Sequence, residues 1–366
     1  MAWPKLKQYL ENSWYRWASQ DRQTWYAAQF QYWENVNIRD MKNWVMLSWW
    51  KTEWFTSSSD FSFFTYKWAL YSIDADWEIR DASWTSKCSL SWMIAVPYPM
   101  WIQFGNKVYI LWWFDVYEVT PWTTWTYQNI TSSISWYSFW TCIFNYANTL
   151  LLIASNNKLF TMDTSWIFTK VREFEWWFNI YWLTQEWNYL KIYTSNWVDT
   201  KIHYAKGTFN VEDTWLIQTV TFKWMAIDER CVTSDQWNDY VLFRIDSWEF
   251  KLAKISWYNK TDIRRTQTWW GEKVFTWTVW AANIMASDGV VFVAMKEWIW
   301  TFIEYNWWLR WWCVEFRKSP IETLWSMFKY KERLYVCSEE SSTTYRQNYY
   351  DMSFPPPTFQ QRWFII

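Results

Sequence analysis

The sequence predicts an all-β fold, a β-propeller of about seven blades with three to four antiparallel strands each. Three observations predict it. Short β-branched and aromatic runs recur at a steady spacing, turn residues flank every run, and no helical periodicity of convincing length appears.

The runs are ALYSI at 69–73, KVYIL at 107–111, TLLLIA at 149–154 and YLKIY at 189–193, then YVLFRI at 240–245, VVFVAM at 290–295 and RLYVC at 333–337. Their spacing of about 40–50 residues, with several strands in each unit, is the sequence mark of a propeller. Most runs lead through a turn into a second strand, as in EIRDA, FDVYEV, KLFTMD, VDTKIHY and EFKLAKI. Most also follow another strand and turn, as in FSFFTY, WIQF, TCIFNY, NIYWLTQ, AANIMA and SMFKY. One such unit cannot bury both of its faces. Stacking units around an axis supplies the core and hides the strand edges. Seven units fit best, with six or eight left open because the first and last are least regular. A β-sandwich or two small barrels also suit short strands with frequent turns.

The tryptophans mark the breaks between these strands. The chain has 366 residues, 43 of them Trp and only 4 Gly. Average usage would place roughly 26 glycines in this length. Trp follows turn formers at Asn43-Trp44, Asp76-Trp77, Asn196-Trp197, Gln236-Trp237 and Ser247-Trp248, and it is doubled at Trp112-Trp113, Trp176-Trp177 and Trp269-Trp270, where Gly271 follows. Two-residue hairpin turns need φ > 0, which makes Asn-Gly, Asp-Gly and Gly-Gly the usual choices. Trp stands where glycine is expected. The competing reading is a protein that uses Trp for packing or for sugar binding.

Three regions follow. Residues 1–54 read as an irregular N-terminal arm, 55–350 as the propeller body, and 351–366 as a Pro-rich tail. Pro355, Pro356 and Pro357 exclude a central strand there.

Composition removes several function classes. Lys+Arg number 35 against 36 Asp+Glu, so no basic surplus points to nucleic acid. The N-terminal stretch is polar and lacks a hydrophobic signal core, and no stretch of twenty uninterrupted apolar residues predicts a membrane span. Cys88, Cys142, Cys231, Cys313 and Cys337 are far apart with no Cys-x-x-Cys pair. They indicate neither a zinc site nor a disulfide framework and read as reduced core residues.

The search for chemistry ends without a catalytic, cofactor-binding or metal-binding residue, so the expectation is a non-enzyme without a cofactor. The single histidine, His203, alternates along a predicted strand, reads as a surface or half-buried position, and has no nucleophile motif around it. No two carboxylates stand out as the pair a glycosidase needs. The run Ser72-Ile73-Asp74-Ala75-Asp76-Trp77 meets the repeated Asp-turn motif of sialidase-type propellers only in part, then continues as Glu78-Ile79. Asp74, Asp76, Asp163, Asp246 and Asp288 read as hairpin-closing acids. Calcium at Asp74 and Asp76 is the weaker alternative, because it needs six or more oxygen ligands. No phosphate-cradling glycine loop leads into a helix. Asn129-Ile-Thr131 and Asn259-Lys-Thr261 match the glycosylation pattern.

Two resemblances add to this reading. The Trp-for-Gly pattern resembles a gene from a lineage that reads the UGA codon as glycine, translated with UGA as tryptophan; some uncultivated bacteria and their phages use that code. With glycine restored, the segment 15–50 is similar to the opening of phage virion proteins that place a short arm before a propeller. Asp21-Arg22, Asn37-Ile38-Arg39-Asp40 and Asn43-Trp44 carry the likeness. It implies a tail or portal-adjacent structural protein, located in the virion, whose propeller is a scaffold for other virion proteins, with a homo-oligomer left open. The alternatives are a carbohydrate-binding or glycan-cleaving receptor-binding propeller, and a host propeller that binds proteins in the cytoplasm.

Overall fold

The computed structural model describes residues 36–37, 47–48 and most of 51–351. The longer breaks fall at 91–99, 132–139, 207–215, 263–274 and 277–282, with gaps of four residues or fewer elsewhere. The described strands form seven antiparallel blade sheets, six of four strands and one of five, and Val36–Asn37 pairs with Leu47–Ser48 as a separate two-stranded sheet. Blade 1 is Phe61–Tyr66, Ala69–Asp74, Glu78–Asp81 and Ser86–Ser89. Blade 2 is Met100–Phe104, Lys107–Trp112, Asp115–Thr120 and Thr126–Asn129. Blade 3 is Trp140–Tyr146, Leu150–Ser155, Lys158–Met162 and Phe168–Glu173, and blade 4 is Asn179–Glu186, Tyr189–Ser195, Thr200–Ala205 and Leu216–Phe222. Blade 5 is Val232–Asp235, Asn238–Asp246, Glu249–Ser256 and Asn259–Asp262, with Phe275–Thr276 also pairing to its third strand. Blade 6 is Asn283–Ser287, Val290–Met295, Trp298–Tyr305 and Arg310–Lys318. All seven predicted runs are second strands.

Blade 7 is built from both ends of the sequence. Thr323–Tyr330, Arg333–Ser341 and Thr344–Asp351 supply three strands, and Lys51–Ser57 pairs antiparallel with Thr344–Asp351 as the fourth. The boundary read at 54/55 falls inside this closing strand. First strands touch between blades 2 and 3, 3 and 4, 5 and 6, and 6 and 7, and those of blades 7 and 1 bring the two ends of the chain together. The Tyr330 hydroxyl donates to the Trp68 carbonyl across that junction. The arm residues Asp21, Arg22, Ile38, Arg39, Asp40, Asn43 and Trp44, and the tail after Asp351, lie outside the described residues.

Burial explains why second strands carry the sequence signal. Each has a neighbouring blade on both faces, so it reads as a nearly continuous apolar run. Leu151, Leu152, Ile153 and Ala154 are fully buried, and Tyr189–Ser195 is buried from its second residue onward. Outer strands face solvent, as the largely exposed Leu216–Phe222 and Thr126–Asn129 show. First strands share a further feature. Pairing shifts skip Thr141, Tyr181 and Trp325 in blades 3, 4 and 7. Each residue lies five positions before the strand end, so the repeat extends to its β-bulge.

The turns hold many of the tryptophans. Trp68, Trp84, Trp187, Trp224 and Trp257 have φ between 50° and 66°, a region where bulky side chains are outliers. Trp68 is 90% exposed and Trp224 is 73% exposed. Two first-to-second-strand turns make the comparison direct. In blade 2 the turn is Gly105-Asn106, with Gly105 at φ 59°. In blade 4 it is Trp187-Asn188, with Trp187 at φ 57°. The same place in the repeat has the same backbone with glycine in one blade and tryptophan in the other. Among the described residues Trp101, Trp125 and Trp182 pack instead: Trp125 is buried, and Trp101 and Trp182 are half-buried against core clusters.

Candidate functional site

The densest polar construction lies between blades 4 and 5. Lys191, on the second strand of blade 4, forms ion pairs with Glu186 of its own blade and with Asp239 of blade 5. Its side chain is 1% exposed. Asp239 Oδ2 accepts hydrogen bonds from Lys191 Nζ at 2.9 Å, the Tyr193 hydroxyl at 2.6 Å and Thr184 Oγ1 at 3.0 Å. Its Oδ1 accepts from Ser234 Oγ at 2.6 Å. Burial, then the Asp239 carboxylate, hold the Tyr193 phenol well above its ordinary range, so it stays a donor. A buried charge is tolerated only when paired and hydrogen-bonded; both oxygens of Asp239 meet that demand, while Glu186 Oε2 relies on its ion pair with Lys191.

This network does at one interface what a tyrosine does at others. Tyr66, Tyr146 and Tyr330 each end the first strand of a blade. Each phenol donates to a carbonyl in the first turn of the next blade: Asn106 at 3.1 Å, Asn188 at 2.8 Å, and Trp68. Contacts also run backward. Gln185 Oε1 accepts from the Ala147 amide at 2.9 Å, and Asn145 Nδ2 donates to the Gln103 carbonyl at 3.1 Å. Blade 4 ends its first strand in Glu186 instead. The charge network and the Tyr204 hydroxyl, donating to the Trp257 carbonyl, join it to blade 5.

His203 is buried at 7% exposure, which corrects the expected surface or half-buried position. Phe174, from the link between blades 3 and 4, lies 4.5 Å from its ring. Its nitrogens meet Thr194 Oγ1 and Thr219 Oγ1, each at 2.9 Å. Burial, followed by Lys201 and Arg172, lowers its pKa to about 4. Both nitrogens are occupied by threonines, so the ring has a structural task.

The other candidates are also local. In Asn129-Ile130-Thr131 the asparagine oxygen accepts the Thr131 amide, and Thr131 Oγ1 accepts the Val116 amide. Cys88, Cys142 and Cys231 are buried free thiols. Burial pushes Cys88 up to about 11 and Cys142 higher still, the opposite of an activated thiolate. Cys313 and Cys337 lie on strands. Asp76, Asp163 and Asp288 lie outside the described residues, and Asp74 and Asp246 end strands. Asp81 and Asn196 close turns by accepting backbone amides, a role sequence reading assigned to other acids. Among the described residues no group of three or more His, Cys, Asp or Glu is placed to hold a metal, and no helix is long and apolar enough to cross a membrane.

No family model and no curated protein matches the chain by sequence. Solved structures match by shape. The chain is similar to a luciferin-regenerating enzyme at 10% identity and TM-score 0.45, over 69% of this chain and 89% of that one. It is similar to BamB from Moraxella catarrhalis at 9% identity and TM-score 0.46, over 77% and 81%. It is also similar to BBS1N, solved in complex with ARL6DN, at 10% identity and TM-score 0.49, over 83% and 98%.

Proposed function

We propose that this chain is a non-enzymatic scaffold for protein interaction, and that it serves as a structural component of a phage virion. The observation that carries the scaffold is the lacing of blade to blade. Strongly polar side chains in the described core are engaged structurally: the buried Lys191 ties blade 4 to blade 5, and the one histidine braces the strands of blade 4. A ring built this way presents its turns on a rigid frame. The virion part rests on the likeness of the arm and on the turn tryptophans. Under this reading the native residue at Trp68, Trp84, Trp187, Trp224 and Trp257 is glycine, because the backbone there suits glycine.

Mass spectrometry of the protein from its native source tests both parts. The expected result is an intact mass several kilodaltons below 45.8 kDa, and recovery of its peptides from purified particles. A mass equal to 45.8 kDa removes the glycine reading. Particles without its peptides remove the virion role. A glycan array, with turnover measured on any hit, separates the scaffold from the carbohydrate reading: binding at millimolar sugar would favour the latter.

A further inference from the structure

We propose that Lys191 and Asp239 condense to an amide bond that locks blade 4 to blade 5 covalently, with Glu186 as the proton carrier. The reaction needs an amine nitrogen against a carboxyl group, a base beside the nitrogen, and the absence of water. The seam between the two blades supplies all three. Lys191 Nζ lies 2.9 Å from Asp239 Oδ2 and is ion-paired with Glu186 Oε2. The side chains of Lys191, Glu186 and Asp239 are 1%, 3% and 4% exposed. Contact held by a packed core replaces the collision of two free groups, which removes much of the entropic barrier to joining them.

The two carboxylates differ in their surroundings, and the difference assigns their roles. Asp239 receives three hydroxyl groups, Tyr193 and Thr184 on Oδ2 and Ser234 on Oδ1. Donors fixed on both oxygens polarise the carboxyl group and hold the charge that develops when the nitrogen attacks its carbon. Among the described residues Glu186 Oε2 accepts no hydrogen bond beyond its ion pair with Lys191, so it is open to take a proton from that ammonium. Asp239 is therefore the electrophile and Glu186 the carrier. None of these residues is a tryptophan, so the site is the same under either reading of the turns.

The protons balance within the site. One ammonium proton passes to Glu186 and on to an oxygen of Asp239, which leaves a neutral amine beside a neutral carboxylic acid. Burial favours such neutral forms over charged ones. The bond from Lys191 Nζ to Asp239 Cγ then forms. A second nitrogen proton passes through Glu186 to the same oxygen, and the bond from Cγ to that oxygen breaks to release water. The third proton stays on the amide nitrogen, and Glu186 ends as it began. No oxidant or co-reactant takes part. One positive and one negative charge leave a core in which two carboxylates share one ammonium, and charges are costly to keep there. The bond also suits its place in the repeat. Blade 4 lacks the tyrosine clasp that ends the first strand of blades 1, 3 and 7, and the bond would join residues 48 positions apart across that seam.

The intact mass of the full chain, shown to be folded by a cooperative melt and then denatured, tests this. The expected mass is one water below that of the sequence expressed, with a fragment spectrum that joins Lys191 to Asp239. Asp239→Asn keeps the shape of the side chain and should close the same bond with loss of one ammonia, which separates this bond from loss of water elsewhere. Glu186→Gln should close it about a hundredfold more slowly, read as unreacted chain at purification. A folded chain at full mass, a loss of water that persists in Asp239→Asn, a cross-link from Lys191 to Glu186, or a Glu186→Gln chain that reacts as fast as the parent overturns the proposal. If a variant does not fold, the parent mass and its cross-linked peptide decide the matter alone. An unreacted chain leaves the scaffold reading standing, since the ion pairs lace the blades without the bond.

Discussion

The first strands of blades 3 and 4 end at equivalent positions and reach the next blade by different chemistry. Tyr146 ends the strand of blade 3, and its phenol donates to the Asn188 carbonyl. Glu186 ends the strand of blade 4, and its carboxylate is held by the buried Lys191, which also engages Asp239 of blade 5. The neutral solution adds one hydrogen bond at a half-wet rim. The ionic solution removes charges from water and stays stable only while every partner is present. One repeat position can therefore be a minor contact in one blade and a single point of failure in the next.

Four measurements would break or sharpen that contrast. The largest effect is expected from Lys191→Met, which leaves Glu186 and Asp239 buried without their cation. A loss of about 3–5 kcal/mol is expected by chemical denaturation. A loss under 1 kcal/mol would mean that the network is solvated and the contrast false.

The next effect depends on pH. The His203 pKa is about 4 in the folded chain, below its ordinary 6.5. Between these values the unfolded chain binds a proton that the folded chain does not. The contribution is complete above pH 6.5 and is lost as pH falls toward 4, by about 3 kcal/mol. His203→Gln should remove this slope from the stability curve. An identical curve for the variant would show that carboxylates, not His203, govern the acid loss.

Two tryptophans of blade 4 then oppose each other. Trp182 packs against the core shared with blade 5, and Trp182→Gly should cost about 2–3 kcal/mol, somewhat less than the loss of a fully buried indole. Trp187 sits exposed in the turn that receives Tyr146, at φ 57°, and Trp187→Gly should stabilise by about 1–2 kcal/mol. Melting both variants checks the pair. If Trp187→Gly destabilises, the turn does not demand glycine. The smallest effect belongs to Tyr146→Phe, with a loss of about 1 kcal/mol for one hydrogen bond, read by chemical denaturation.

Legibility in the sequence followed burial. Second strands such as KVYILW and LLLIAS stood out because both faces are covered, which leaves an apolar run that needs no context. The first strand of blade 5, VTSD, and the outer strands were missed because half-exposed residues of mixed polarity look like loop. Asp239 and Lys191 were invisible as partners. They lie 48 positions apart, and nothing in an isolated Asp or Lys tells whether it will be buried. His203 was assigned to a strand correctly, but its burial depends on Phe174, which arrives from the link between two blades.

The amino-acid sequence alone determined the strand content, the repeat spacing, the seven second strands and the turn positions marked by tryptophan. These follow from local chemistry: β-branched runs favour extended backbone, and turns demand particular φ values. Only the tertiary structure decided that 51–57 closes the ring against 344–351, and that Glu186 replaces a tyrosine by recruiting a buried lysine. Those outcomes depend on pairing across long separations, where the gain comes from surfaces that the folded ring alone brings together.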